Sequence, residues 1–226
     1  MARCLLPNRV EITRKEAHVV TRLLPKAAIL ALFCGLTTPL HAGESLDSAW
    51  TLCREQAAET EQERDLPPHL LSAIAKTESG RWHAGEGANL AWPWTVMAEG
   101  RGRYLPSKAA AIETVRRLQA QGVRNIDVGC MQVNLHYHSE AFENLEEAFD
   151  PAVNMAYAAD FLVELRQEAR SWTRAVGQYH SRRAVRSNKY RAKVFKAWRE
   201  ERHRANRERR ARLQAAREAA RQDQAS

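Results

Sequence analysis

The chain has 226 residues, 44% hydrophobic and 27% charged, with a formal net charge of +8. These proportions fit a globular protein and exclude a collagen-like, low-complexity or wholly disordered chain. The charge is segregated: residues 1–42 carry +4 (6 Lys/Arg against 2 Asp/Glu), residues 43–181 carry −7 (13 against 20) and residues 182–226 carry +11 (16 against 5).

At the front, Arg22 and Lys26 precede the apolar run from Ala27 to Leu36, and Leu40-His41-Ala42 ends on a small residue. This is the layout of a secretory signal over residues 1–42, with Gly43 as the mature start. The run is shorter than the ~20 apolar residues that span a bilayer, so no membrane span is expected after cleavage. A retained anchor is the alternative. Cys34 follows Phe33, not the small residue that lipoprotein processing needs. Residues 1–19 are long and mixed in charge for such a signal, which suggests translation starting near Val19 or Val20.

Export would leave two cysteines, Cys53 and Cys130. In an oxidising compartment they read as one disulfide, worth ~3–5 kcal/mol for a long loop, with two buried free thiols as the alternative. No Cys-x-x-Cys pair suggests zinc, and no other metal or cofactor is expected.

The middle segment reads as one domain, residues 43–198, rich in helix signals. Asp47 or Ser48 opens a helix to about Gln62 with Trp50, Cys53 and Ala57 on one face. Pro67-Pro68 starts the next, since proline is tolerated in a first turn. Its Leu70, Leu71 and Ile74 form an apolar face that delivers Glu78 at the C-terminal end. Residues 82–105, rich in Trp, Gly and Pro, read as loop with a short hairpin around Glu99-Gly100-Arg101-Gly102. Ser107 caps a helix that Gly122 ends. Val128 to Leu135 is short and buried. Asp150-Pro151 opens a helix with Met155, Ala158, Leu162 and Leu165 inward, and another runs from Ser171 to Tyr179. Tyr190, Val194, Phe195 and Trp198 share one helical stripe that packs on the domain. Residues 199–226, Arg-rich and almost without an apolar face, read as a solvated helix or disordered tail.

Three separated motifs carry the chemistry: Ile74-Ala75-Lys76-Thr77-Glu78-Ser79-Gly80-Arg81, Gly129-Cys130-Met131-Gln132-Val133-Asn134 and Ala175-Val176-Gly177-Gln178-Tyr179-His180. In order and spacing, from about Trp50 to Trp198, they resemble the soluble-lytic-transglycosylase-like (SLT) domains of the lysozyme-like superfamily, which cut peptidoglycan glycan strands. The resemblance implies a mostly α, α+β lysozyme-like fold with a small β-hairpin element and a charged C-terminal helical tail. It implies cleavage of the MurNAc–GlcNAc β-1,4 bond with 1,6-anhydro-muramoyl ends, and Glu78 as general acid and base. Gly129-Cys130-Met131-Gln132 departs from the family's Gly-Leu-Met-Gln by a cysteine, which strengthens the disulfide reading. Tyr179 matches the tyrosine of Ala-Tyr-Asn, and His180 stands where the family has asparagine, leaving the role of position 180 open. Asn154-Met155 resembles a further segment whose asparagine is structural.

A glutamate at the end of an apolar helix, beside Trp82, is placed for the raised pKa that proton donation at neutral pH requires. A lone Glu-Ser at a helix end would otherwise read as solvated surface. Substrate contacts are expected from Gln132, Met131 and Tyr179, and from Ser79 and Thr95. Met131 reads equally well as core. Trp92-Pro93-Trp94-Thr95 resembles a subgroup linked to envelope-spanning machinery, and its indoles would suit sugar faces. Asp127 is the candidate for a second acid, with a structural turn as the simpler reading. His136 and His138 read as cleft-edge or structural residues.

The leading reading is thus a periplasmic, monomeric lytic transglycosylase acting on peptidoglycan, serving a secretion, conjugation or flagellar apparatus. A hydrolase resembling goose-type lysozyme, using water and Asp127, and an inactive glycan-binding scaffold are the alternatives. Nucleic acid is not an expected partner of an exported protein. The basic tail would meet anionic glycan peptides, lipid or an acidic partner, if it is more than solvated surface.

Overall fold

The computed structural model describes residues 46–225. The signal expected over residues 1–42, with the mature start at Gly43, lies outside the described residues. Among the described residues are seven helices and two small antiparallel sheets, the expected mostly α, lysozyme-like class.

Helix α1 (Leu46–Glu63) buries Ala49, Cys53, Ala57 and Glu61, one residue per turn of the same face. Helix α2 (Leu70–Ser79) begins later than Pro67-Pro68 suggested. His69 adopts a left-handed conformation (φ 68°), and the Glu61 side chain of α1 takes over the capping of the helix that follows. The prolines therefore form the approach to the helix, not its first turn.

Residues 80–104 hold more strand than their composition suggested. Strands β1 (Gly80–His83) and β2 (Ala88–Ala91) form a hairpin. Strands β3 (Thr95–Ala98) and β4 (Arg101–Tyr104) form a second, turning at Glu99-Gly100, where φ is 53° and 73°. Two positive φ values in a two-residue turn match the twist of the flanking strands. The second hairpin continues through β5 (Ile126–Val128) to β6 (Val133–Asn134) in the order β4-β3-β5-β6.

Helix α3 (Lys108–Ala120) starts at Ser107, whose hydroxyl accepts from the Ala110 N–H, and its exit turns at Gly122 with φ 83°. After the short α4 (Leu145–Ala148), Asp150 caps α5 (Pro151–Ala169), accepting from the Ala152 and Val153 N–H groups. Helix α6 (Trp172–His180) leads into α7 (Ala184–Ala225), 42 residues long. None of the described helices is long and apolar enough to cross a membrane.

Two apolar cores result. One joins α1, α2, α5, α6 and α7 through Leu70, Leu71, Ile74, Met155, Leu162 and Val194. The other lies against the sheet, around Trp92, Trp94, Val96, Val115, Ile126 and Phe149. The segment 129–134 leaves the second core at Val128 and puts Cys130, Met131 and Val133 in the first. Cys53 and Cys130 form a disulfide across 77 residues, tying α1 to this segment, as expected. Closing a loop of that length removes about 4–5 kcal/mol of unfolded-state entropy in the chain-entropy model.

Candidate active site

Helix α2 is anchored at both ends. At its start, the Glu61 carboxylate accepts from the N–H groups of His69 (2.6 Å), Leu71 (2.7 Å) and Ser72 (3.2 Å), which the helix itself leaves without partners. At its end, Glu78 faces a cleft of about 400 Å³. The Tyr190 hydroxyl, from α7, donates to Glu78 Oε1 at 2.5 Å.

Burial pushes the Glu78 carboxyl up to about 7, against the opposing hydrogen bond from Tyr190; the negative charge of Asp127 adds to the rise and Lys193 opposes it. A carboxyl balanced there can give a proton and take one back at neutral pH. Burial foremost, with the negative charge of Glu78 next, holds the Tyr190 phenol well above its ordinary range, so it stays a donor.

The opposite wall is built by segment 129–134. Gly129 has φ 81°, and a Cβ there would come within 2.4 Å of the Asn154 side chain. Asn154 is fully buried; it accepts from the Met131 N–H and donates to the carbonyls of Val128 and Ala148. That is the structural role expected of it. Gln132, left-handed at φ 48°, lines the cleft with its amide nitrogen donating to the carbonyls of Thr95 and Gly129 at 3.0 Å. This leaves its amide oxygen as the end it can offer to a ligand.

Asn134 organises the rim. Its amide nitrogen donates to Asp127 and Asn125, both at 2.6 Å, and its oxygen accepts from the N–H groups of His136 and Tyr137. Asp127 lines the same cleft as Glu78; burial raises its carboxyl, opposed by the Asn134 hydrogen bond and by His180. The Tyr179 hydroxyl donates to the Met131 carbonyl at 3.0 Å, and Tyr179 lines the cleft.

Glu78, Gln132 and Tyr179 thus meet in one cleft, and Asp127, His138 and His180 join them. Other expected contacts turn inward. Ser79 has no exposed surface, and its hydroxyl lies on the carbonyls of Ala75 and Cys130. It ties α2 to segment 129–134 instead of reaching a ligand. Thr95 donates to the Trp92 carbonyl inside the sheet core, and Met131 fills the helical core. Trp92 and Trp94 are likewise buried, so the indoles expected to carry sugars pack against Val96 and Val115 instead. Trp82 is 62% exposed but lies on the side of Lys76 and Arg207, outside the cleft lining.

Tyr190 is the site residue that the sequence reading missed. The sequence puts it on a packing stripe, where it is the one hydroxyl among Val194, Phe195 and Trp198. A buried phenol needs a partner, and that was the available signal. The aromatic lining is also new: Tyr157, whose hydroxyl pairs with His138 at 2.8 Å, and Phe161 beneath the His138 ring.

The family model described as the transglycosylase SLT domain matches residues 55–200. The chain belongs to this family. Among curated proteins and among solved structures no match was found. The SLT family comprises peptidoglycan transglycosylases, so peptidoglycan is the substrate class and transglycosylation the general activity. The matched span contains Glu78, Gln132, Tyr179 and Tyr190, and it ends beside Glu201, the last fully packed residue of α7.

Proposed function

We propose that this SLT domain cleaves the MurNAc–GlcNAc β-1,4 bond without consuming water, with Glu78 as both acid and base. Protonated Glu78 gives its proton to the glycosidic oxygen as the bond from muramoyl C1 breaks. The substrate's own acetamido oxygen steadies the electron-poor C1, an arrangement that does not require a second protein carboxylate. The C6 hydroxyl then bonds to C1, and its proton returns to Glu78. The products are a free GlcNAc hydroxyl and a 1,6-anhydro-muramoyl end, and Glu78 ends as it began.

The observation that carries this reading is the buried Glu78 carboxyl, pushed up to about 7 and contacted by a phenol donor in an open cleft. The Tyr190 hydrogen bond favours the carboxylate needed as base, while burial favours the acid, so both forms are accessible near neutrality. Gln132 and Tyr179 would orient the sugar on either side of the cut.

A second reading is hydrolysis, with Asp127 directing a water, because Asp127 lines the same cleft. Asn134 already holds one of its oxygens, so only the other is left to direct a water. Mass spectrometry of digested sacculi separates the two. Muropeptides lighter by one water support the transglycosylase, and reducing ends from the wild type would overturn it. Unchanged sacculi would favour a glycan-binding scaffold.

The proposed compartment is the periplasm, on the strength of the signal-like sequence from Arg22 to Ala42. The resemblance around Trp92–Thr95 supports work beside an envelope-spanning secretion, conjugation or flagellar apparatus. Cell fractionation tests the first, and loss of apparatus assembly in a Glu78→Gln strain tests the second.

A further inference from the structure

His180 closes α6 at the edge of the cleft, exposed, with its ring flat against Tyr190: the centroids are 4.7 Å apart and the planes differ by 10°. Tyr190 is 6% exposed, and its hydroxyl is the donor to Glu78. The Tyr179 ring is also near-parallel to Tyr190, but farther, at 6.5 Å and 18°. The imidazole is therefore the closer aromatic surface against this phenol.

The backbone places that ring deliberately. Three residues before His180, Gly177 meets α7 at Ser187, three residues before Tyr190. A Cβ at Gly177 would lie 2.2 Å from Ser187 Oγ, so α6 and α7 touch backbone to side chain at that level. One turn further along both helices, the gap is filled by two rings, His180 and Tyr190. The charged and titratable groups facing the pair are Arg186 and Lys193 from α7, Asp127 from β5 and Glu78 from α2. Burial, then Arg186 and Lys193, hold the imidazole below its usual range despite Asp127, so a neutral ring stacks at neutral pH.

We propose that His180 is a positioning residue for the acid/base: stacked on Tyr190, its ring holds the phenol hydroxyl on Glu78. The role goes beyond the proposed function and rests on it, since it matters only if Glu78 performs the chemistry. It also gives position 180 a task that the family's asparagine, with no ring, would not perform by stacking. A ring is what the site uses there, not a charge or a metal ligand.

The test is a cycle of variants assayed on sacculi for kcat and KM, with Glu78→Gln as the inactive reference. His180→Ala and His180→Asn should each lower kcat ~10-fold with KM within ~2-fold, because a misplaced catalytic contact is lost mainly from turnover. His180→Phe, which keeps the ring and cannot titrate, should recover most of that loss. Tyr190→Phe removes the hydroxyl, so adding His180→Ala to it should cost nothing more; residues acting through one another are non-additive. His180 is exposed, so the fold should tolerate each of the His180 changes, checked by unchanged melting relative to the parent that carries the same residue at position 190.

His180→Phe as damaged as His180→Ala would overturn the stacking role. So would losses that multiply in the double variant, which mean an independent action of His180. Wild type that cleaves while His180→Ala matches it removes this proposal alone. Wild type that leaves sacculi intact removes the proposed function and this role with it.

Discussion

The two ends of α2 each bury a glutamate side chain, and their surroundings assign them opposite work. Glu61 meets three backbone N–H donors at the N-terminus, where the helix needs acceptors and its dipole favours negative charge. Glu78 meets a single phenol at the C-terminal end, beside open cleft. Burial raises both carboxyls, more than their hydrogen bonds lower them. The difference lies in what losing the proton accomplishes. At Glu61 the carboxylate completes a helix; at Glu78 it is one half of a proton exchange.

The comparison breaks most sharply through activity. Glu78→Gln removes the transferable proton and keeps the shape, and it should lower turnover on sacculi by at least ~10²–10⁴-fold, the usual worth of one general acid–base step. Retention of more than a tenth of wild-type turnover would reject Glu78 as the acid. Asp127→Asn, by contrast, should stay within ~10-fold if no second acid is needed, whereas a hydrolase that relies on it would lose ~10²-fold or more.

At the other end of the helix, the expected effect is on stability. Glu61→Ala leaves three N–H groups without their acceptor and should cost ~2–4 kcal/mol, read as a lower denaturant midpoint. A loss below half a kcal/mol would mean that water replaces the carboxylate.

Stability against pH sharpens the same contrast. Burial pushes the folded Glu78 carboxyl up to about 7 from its ordinary 4.5, so the fold binds this proton more tightly than the unfolded chain does. Its contribution is therefore most favourable below pH ~4.5 and is lost as pH rises toward ~7. Glu78→Gln, which cannot ionise, should be more stable than wild type by ~1–3 kcal/mol at pH 8, with the gain vanishing near pH 4.5. Equal stability of the two proteins at both pH values would place Glu78 in effective contact with bulk water.

How far the sequence reached follows from the range of each signal. The end of α2, the Ser107 and Asp150 caps and the Glu99-Gly100 turn depend on neighbours within a few residues, and they were legible. The cysteine pair was legible because counting left one partner each. Tyr190 lies 112 residues from Glu78, and periodicity reported only that its face was inward. The Trp92 and Trp94 indoles misled because the same side chain suits a sugar platform and a core; only the depth of the sheet decides. Ser79 misled likewise, since adjacency to Glu78 says nothing about which way a helical side chain points.

The smallest effect is expected at the far end of α7. Its first half is held by Tyr190, Val194 and Ala197 on the core, then by Glu201, which is 5% exposed and bonded to Lys76 and Arg204. Arg204 in turn pairs with Glu208. Packing therefore continues past Trp198, where composition alone ends the domain. From Asn206 to Gln224 every side chain is exposed, so removing the residues after Glu208 takes away solvated helix and no core. That truncation should change stability by less than ~1 kcal/mol, the scale of exposed pairs and surface substitutions, and leave cleavage of soluble glycan fragments within ~2-fold. Truncation after Arg199 is the contrast. It removes Glu200 and Glu201, both partners of Lys76, whose side chain is only 15% exposed, and should cost measurably more. Equal melting of the two truncations would show that the Glu201 knot adds nothing, and loss of folding in the shorter deletion would show that the exposed helix is not as independent as its burial indicates.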